Sequence, residues 1–162
     1  MKAVVAVKVA LVASLYAAMV TLLAPISFYA FQVRVADALL LLPFLDFFGL
    51  PSVIGLAIGC AIANALSPFG LVDVAFGSLA NFLAGLAAWA VGKWSKGFPA
   101  LLLAALLEAL IVSWVVGYFV LHLFGGVELS VALVGVFAGS ALSICVLGVS
   151  LALFLLKGLR LR

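Results

Sequence analysis

The chain has 162 residues, 70% hydrophobic and only 8% charged, with eight Lys and Arg against five Asp and Glu. A mean hydropathy of +1.54 leaves too little polar surface for a soluble domain. The net charge of +3 sits at chain ends and in one loop, so it concerns membrane topology and not nucleic acid.

Uncharged runs at 9–33, 47–72, 74–92, 109–127 and 129–156 each exceed the roughly 18 residues that mark a spanning-helix candidate. The period-two alternation of a membrane barrel is missing. The composition therefore indicates an all-α integral membrane protein with a single domain over 1–162.

In chain order, the first predicted span runs from about 3 to 24 and stops at Pro25. Lys2 and Lys8 ahead of an apolar stretch suggest a secretory signal. The run is too long for one, however, and no Ala-x-Ala pattern falls between 14 and 30, so a helix is predicted. Residues 25–36 form a polar, aromatic loop. Pro43, Asp46 and Gly49-Leu50-Pro51 interrupt the next stretch, which predicts two short helices, about 36–48 and 51–66, joined by a tight turn. After the Ser67-Pro68-Phe69-Gly70 turn come spans of about 71–92, 99–122 and 129–156, separated by the Lys93–Pro99 loop and by Gly125-Gly126.

Charge tests that count. Six spans put both termini and the loop after the fourth on one side, which then holds Lys2, Lys8, Lys93, Lys96, Lys157, Arg160 and Arg162; Arg34 alone of the eight basic residues is left opposite. This is the positive-inside pattern and predicts a six-transmembrane-helix bundle with both termini cytoplasmic. Residues 26–39 then face outward. Arg34 there serves a local need, or else snorkels to headgroups or pairs with Asp37.

Ionisable groups inside a membrane cost roughly 2.5–3.5 kcal/mol each, so each needs a reason. Glu108 lies near the middle of the fifth span, and Asp73 at the outer end of the fourth, where capping that helix is its simplest role. Asp73, Gly77, Asn81 and Gly85 share one face at i, i+4 spacing. That face carries an amide about 12 Å deeper than a carboxylate, and its glycines suit helix packing equally well. Asn64 adds a second amide near the same level. His122 reads as interfacial, and Trp114 and Tyr118 either stack on a flat ligand or fill the bundle. Gln32, Arg34, Asp37, Asn64, Asp73, Asn81 and Glu108, with Phe28, Tyr29, Phe31 and Phe76, can converge on a site for a small, planar, hydrogen-bonding ligand. Cys60 and Cys145 read as buried thiols, with no metal-ligand spacing, and no cofactor is expected. Ala6, Ala10, Ser14 and Ala18, beside Ala13 and Ala17, make a small-residue stripe along the first span. Such a stripe suits packing within the chain or docking of another membrane protein.

Two stretches carry a resemblance. APISFYAFQVRVADALLLLPFL at 24–45 and GCAIANALSPFGLVDVAFGSLANFLAG at 59–85 resemble the QueT family of queuosine-precursor transporters, which are substrate-binding S components of energy-coupling factor (ECF) transporters. The resemblance is clearest over about 10–92. It implies a binding element of Gln32, Arg34 and Asp37 in the outer loop with Asn64 and Asp73 beyond it, and a loop at 25–36 that closes over the ligand. With the residues read above, the expected substrate-binding set is Phe31, Gln32, Arg34, Asp37, Asn64, Asp73, Asn81, Glu108 and Trp114. Two positions depart from the family pattern: Asp37 stands where Glu is expected, and Glu108, within EALIV, where Asn is expected in a similar NALIV. A carboxylate at 108 can pair with the ammonium of 7-aminomethyl-7-deazaguanine or take the N–H edge of the ring.

The resemblance further implies docking through Ala6, Ala10, Ala13, Ser14 and Ala17 onto a transmembrane coupling subunit with two ATPases, in a prokaryotic plasma membrane. This chain has no G-x-x-x-x-G-K-[ST] phosphate loop, so ATP hydrolysis is expected in partner subunits and not here. The expectation is capture of a 7-deazaguanine such as 7-aminomethyl-7-deazaguanine or queuine. The alternative is a stand-alone secondary transporter or channel. An intramembrane enzyme is poorly served by a single histidine.

Overall fold

A computed structural model describes residues 2–27 and 33–158. The expectations for Phe28, Tyr29, Phe31 and Gln32 fall outside the described residues. Among the described residues every element is helical. Helix α1 (Lys2–Leu22) is followed by the single turn α2 (Ala24–Ser27). A 3-10 helix covers Val35–Phe44, then come α3 (Gly49–Asn64) and α4 (Leu71–Trp94). Helix α5 (Phe98–Val112) continues without a break as a π-helix, Ser113–Phe124. Helix α6 (Leu129–Ser140) passes through a second π-helical stretch, Ala141–Gly148, into α7 (Val149–Gly158).

Four of these helices are long and apolar enough to cross a membrane: Lys2–Leu22, Leu71–Trp94, Phe98–Phe124 and Leu129–Gly158. Val35–Phe44 and Gly49–Asn64 are apolar but shorter. The first of the short pair differs from expectation in kind. It stops at Phe44, and it is wound as a 3-10 helix of 10 residues, well beyond the usual three or four. At about 2.0 Å per residue instead of 1.5 Å, the winding carries it about 20 Å instead of about 15 Å. Pro43 inside it has no N–H to donate. Every residue from Ala36 to Leu45 is buried, which suits a segment that is apolar on all sides apart from Asp37. It forms the centre of the bundle.

The other helices sort their side chains by size. Inside are Ala80, Ala84 and Ala88 of α4 and Ala104, Ala105 and Ala109 of α5, all fully buried. Outside are Ile54, Ile58 and Ile62 of α3, Leu79 and Leu83 of α4, and Leu103, Leu106 and Leu110 of α5. In lipid no hydrophobic force drives helices together, so close contact of small residues does the work and bulky chains face the tails. Helices α1 and α3 meet closest at Gly59, where an added Cβ would lie 2.6 Å from the Ala13 carbonyl oxygen. A larger residue there forces backbone apart, at about 1–3 kcal/mol.

The two ends of the bundle differ. Lys8 donates to the Phe47 carbonyl, Lys93 and Lys96 lie 3.2 and 3.1 Å from Asp46, and Leu156 lines a pocket with Asp46 and Lys96. These groups mark a basic end. At the other end Arg34 reaches the Ser27 carbonyl and Phe69 packs on Gly125. The chain thus alternates between the two ends along its six main helical segments. At that far end Glu128 starts α6 by accepting from the Ser130 and Val131 N–H groups. The Ser130 hydroxyl, the strongest influence, and these N–H groups hold its carboxyl below its ordinary range.

Candidate functional site

The far end holds a buried polar cluster gathered from five elements. Arg34, just before the 3-10 helix, is 4% exposed, and its Nη2 lies 3.2 Å from Asp73 Oδ2 of α4. Its Nε donates to the Ser27 carbonyl at 3.2 Å, and its Nη1 lies 3.9 Å from the Cys60 sulfur of α3. Asp37, in the first turn of the 3-10 helix, accepts a 2.6 Å hydrogen bond from the Tyr16 hydroxyl of α1. Asn64 closes α3, and its Nδ2 donates to the Asp73 carbonyl at 2.8 Å and approaches Asp73 Oδ1 at 3.2 Å. A Cβ at position 77 would lie 2.2 Å from that Asn64 nitrogen, so Gly77 provides the room for Asn64. The N-cap position of α4 is held by Gly70, and Asp73 lies in the first turn; its carboxylate faces Arg34 and Asn64.

These pairings are the kind a buried charge requires: an ionised group away from water is tolerated only when paired and hydrogen-bonded. They also tie α1 to the 3-10 helix, and α3, α4 and the segment before the 3-10 helix to one another.

Beside the cluster is a small cavity whose polar wall is Arg34, Asp37, Asn81 and Ser140. Val112, Val116 and Val136 line the rest. The space open to the centre of a water-sized sphere is about 10 Å³, enough for one water. Two of its walls border the π-helical stretches, since Val116 lies within one and Ser140 immediately precedes the other. Such loosened winding recurs at functional sites.

The structure thus brings together Arg34, Asp37, Asn64, Asp73 and Asn81. Glu108 is fully buried on α5, one helical turn from cavity-lining Val112, and neither of its oxygens has a hydrogen-bond partner among the described residues. Trp114 stands apart: it is 57% exposed, stacks on Tyr118 at 5.6 Å, and lines an outward apolar groove with Leu110 and Phe137. Phe76 is engaged with Phe119, stacked at 4.8 Å, and His122 holds the Val127 carbonyl at 2.9 Å. Of the small-residue stripe, Ala6, Ala10 and Ser14 are exposed and Ala17 is half-buried, but Ala13 is buried. Its place against Gly59 spends it on packing within the chain, so it is not on the surface available to a partner.

Tyr16, Cys60 and Ser140 belong to the site without having been singled out for it. Tyr16 carried a usable signal, because a phenol in the middle of an apolar helix needs a hydrogen-bond partner. Cys60 and Ser140 carried none, since small polar residues inside membrane helices usually serve packing.

The family model for the QueT transporter matches residues 6–157, a longer stretch than the one in which the resemblance is visible by eye. No curated protein and no solved structure matches the chain. With a match over nearly its whole length, four apolar helices long enough to cross a membrane and a buried polar site among them, the chain is a multi-pass membrane transport protein that belongs to the QueT transporter family.

Proposed function

We propose that this chain is the membrane-embedded capture subunit for a queuosine precursor, a 7-deazaguanine, and that an ATP-driven ECF module moves the captured ligand inward. The observation that carries the reading is the convergence of Arg34, Asp37 and Asn81 on one buried cavity. A guanine-like edge offers adjacent N–H donors and a carbonyl; a carboxylate accepts from the first and a guanidinium or amide donates to the second. The cavity holds about one water, so ligand entry exchanges the Arg34–Asp73 and Tyr16–Asp37 bonds for bonds to the base and spreads the surrounding helices. The membrane is crossed six times, with the basic end cytoplasmic as the positive-inside rule requires, in the plasma membrane of a prokaryote. The exposed row Ala6, Ala10 and Ser14 supports close approach of a coupling subunit with its two ATPases.

The test has two parts. Protein purified in mild detergent is analysed for retained small molecules by mass spectrometry, wild type beside Arg34→Ala; a deazaguanine held by the first and absent from the second is expected. Proteoliposomes carrying the chain alone should bind ligand without accumulating it, and uptake should require the ATPase module and ATP. Uptake by the chain alone would instead favour a stand-alone secondary transporter.

A further inference from the structure

One turn below the cavity, towards the basic end, lies a polar layer that none of the pairings above uses. Glu108 precedes cavity-lining Val112 by four residues, so it shares that face of α5 about 6 Å deeper. Ser143 follows cavity-lining Ser140 by three residues on the π-helical stretch that packs against α5. Both are 0% exposed. Both Glu108 oxygens and the Ser143 hydroxyl lack a hydrogen-bond partner among the described residues, as does the Asn81 Nδ2 on the cavity wall. Folded proteins leave few buried polar groups unmet, because each one costs stability. Here Asn81 leaves its amide nitrogen unmet on the cavity wall. Glu108 and Ser143 leave their oxygens unmet one turn away, on two helical segments whose neighbouring residues Val112 and Ser140 line it. An ionised carboxylate only accepts, and so calls for a cation or several N–H donors. Arg34, the cation at the cavity, has its Nη2 on Asp73.

We infer that Glu108, assisted by Ser143, is a second subsite, which takes the protonated amine arm of the ligand and selects cationic deazaguanines over neutral ones. The inference rests on the proposed function above and adds to it the charge class of the ligand. An ammonium brings three N–H donors, which match two carboxylate oxygens and a hydroxyl. A nitrile or an unsubstituted ring brings no cation and leaves the carboxylate buried without a partner. Discrimination of this sort comes from the group left unpaired as much as from the bond formed. Asn81, higher on the wall, is left to donate to the ring.

The test is isothermal titration of the purified protein with cationic 7-aminomethyl-7-deazaguanine and with neutral 7-cyano-7-deazaguanine. Wild type, Glu108→Gln and Ser143→Ala are compared, each checked for a monodisperse peak on size-exclusion chromatography. Wild type should prefer the amine on the order of 30-fold. Glu108→Gln should lose that preference while holding the nitrile at least as well as wild type does, and Ser143→Ala should lose part of it. Equal wild-type affinities would overturn the subsite, as would a Glu108→Gln protein that keeps its preference or, though monodisperse, loses both ligands. Failure of wild type to bind either compound is a different result: it removes the deazaguanine reading itself, and the subsite with it.

Discussion

The molecule contains two ion pairs of the same length at opposite ends, Arg34–Asp73 and Lys93–Asp46, each at 3.2 Å. Their surroundings make them different objects. The Arg34 and Asp73 side chains are 5% and 0% exposed, whereas Lys93 and Asp46 are 58% and 44% exposed. A buried pair has surrendered the hydration of both ions and cannot spare either partner. An exposed pair is half-solvated already and contributes about 0–1 kcal/mol. Distance alone would rank them equal; burial separates them. The buried pair is also the one beside the cavity, where the ligand of the proposed function would compete for its charges.

The comparison can be broken in order of effect. Asp73→Ala removes the carboxylate facing a buried guanidinium and should cost about 3–5 kcal/mol, read as a large drop in melting temperature in detergent. The double variant Arg34→Met with Asp73→Leu should recover most of that stability, since apolar replacement of a whole buried pair is often neutral, yet should retain no ligand. Double-variant stability as low as that of Asp73→Ala would mean that the pair is held for the fold and not for binding. Tyr16→Phe removes a hydrogen bond to a buried carboxylate and should cost about 1.5–3 kcal/mol, in the same melting assay.

At the basic end Asp46→Asn should shift stability by no more than about 1 kcal/mol, an effect that fades in high salt. The smallest effect is on pH. Lys96 first, then Lys93, holds the Asp46 carboxyl below its ordinary range. A carboxyl depressed in the folded state contributes stability that is present above its unfolded value, about 3.9, and is lost as pH falls through the lower folded value. Melting of wild type and Asp46→Asn between pH 5 and pH 2 should therefore converge at the acid end. Divergence there would show that the lysines do not act through Asp46.

Much of the architecture could be read by punctuation. Pro25, Gly49-Leu50-Pro51, the Ser67–Gly70 turn and Gly125-Gly126 lie at or beside ends of helices because each halts helical hydrogen bonding for a local reason. The winding of Val35–Phe44 was not legible, since a run of leucines is compatible with either helix and the extra reach is demanded by its neighbours. The polar members of the site were visible as anomalies in an apolar chain. Their partners were not: Arg34 is three residues from Asp37, yet the carboxylate at its Nη2 is Asp73, 39 positions away, while Asp37 receives Tyr16. Trp114 could by its place in the chain stack on a ligand or fill the bundle, but it sits on the π-helical stretch after α5, where its rotation about the helix turns it outward.

By itself, then, the sequence determined that this is a membrane bundle, roughly where most of its helical segments break, which end is basic, and which few residues are too polar to be there without a reason. These properties are local, set by hydropathy along a segment and by the backbone limits of Pro and Gly. Only the tertiary structure decided which polar group meets which, that Ala13 is spent against Gly59, and that Glu108 and Ser143 lie unpartnered beneath one cavity. Those outcomes depend on how far each helix is rotated and how deep it sits. Both follow from close contacts of small residues on different helices, and no single segment encodes them.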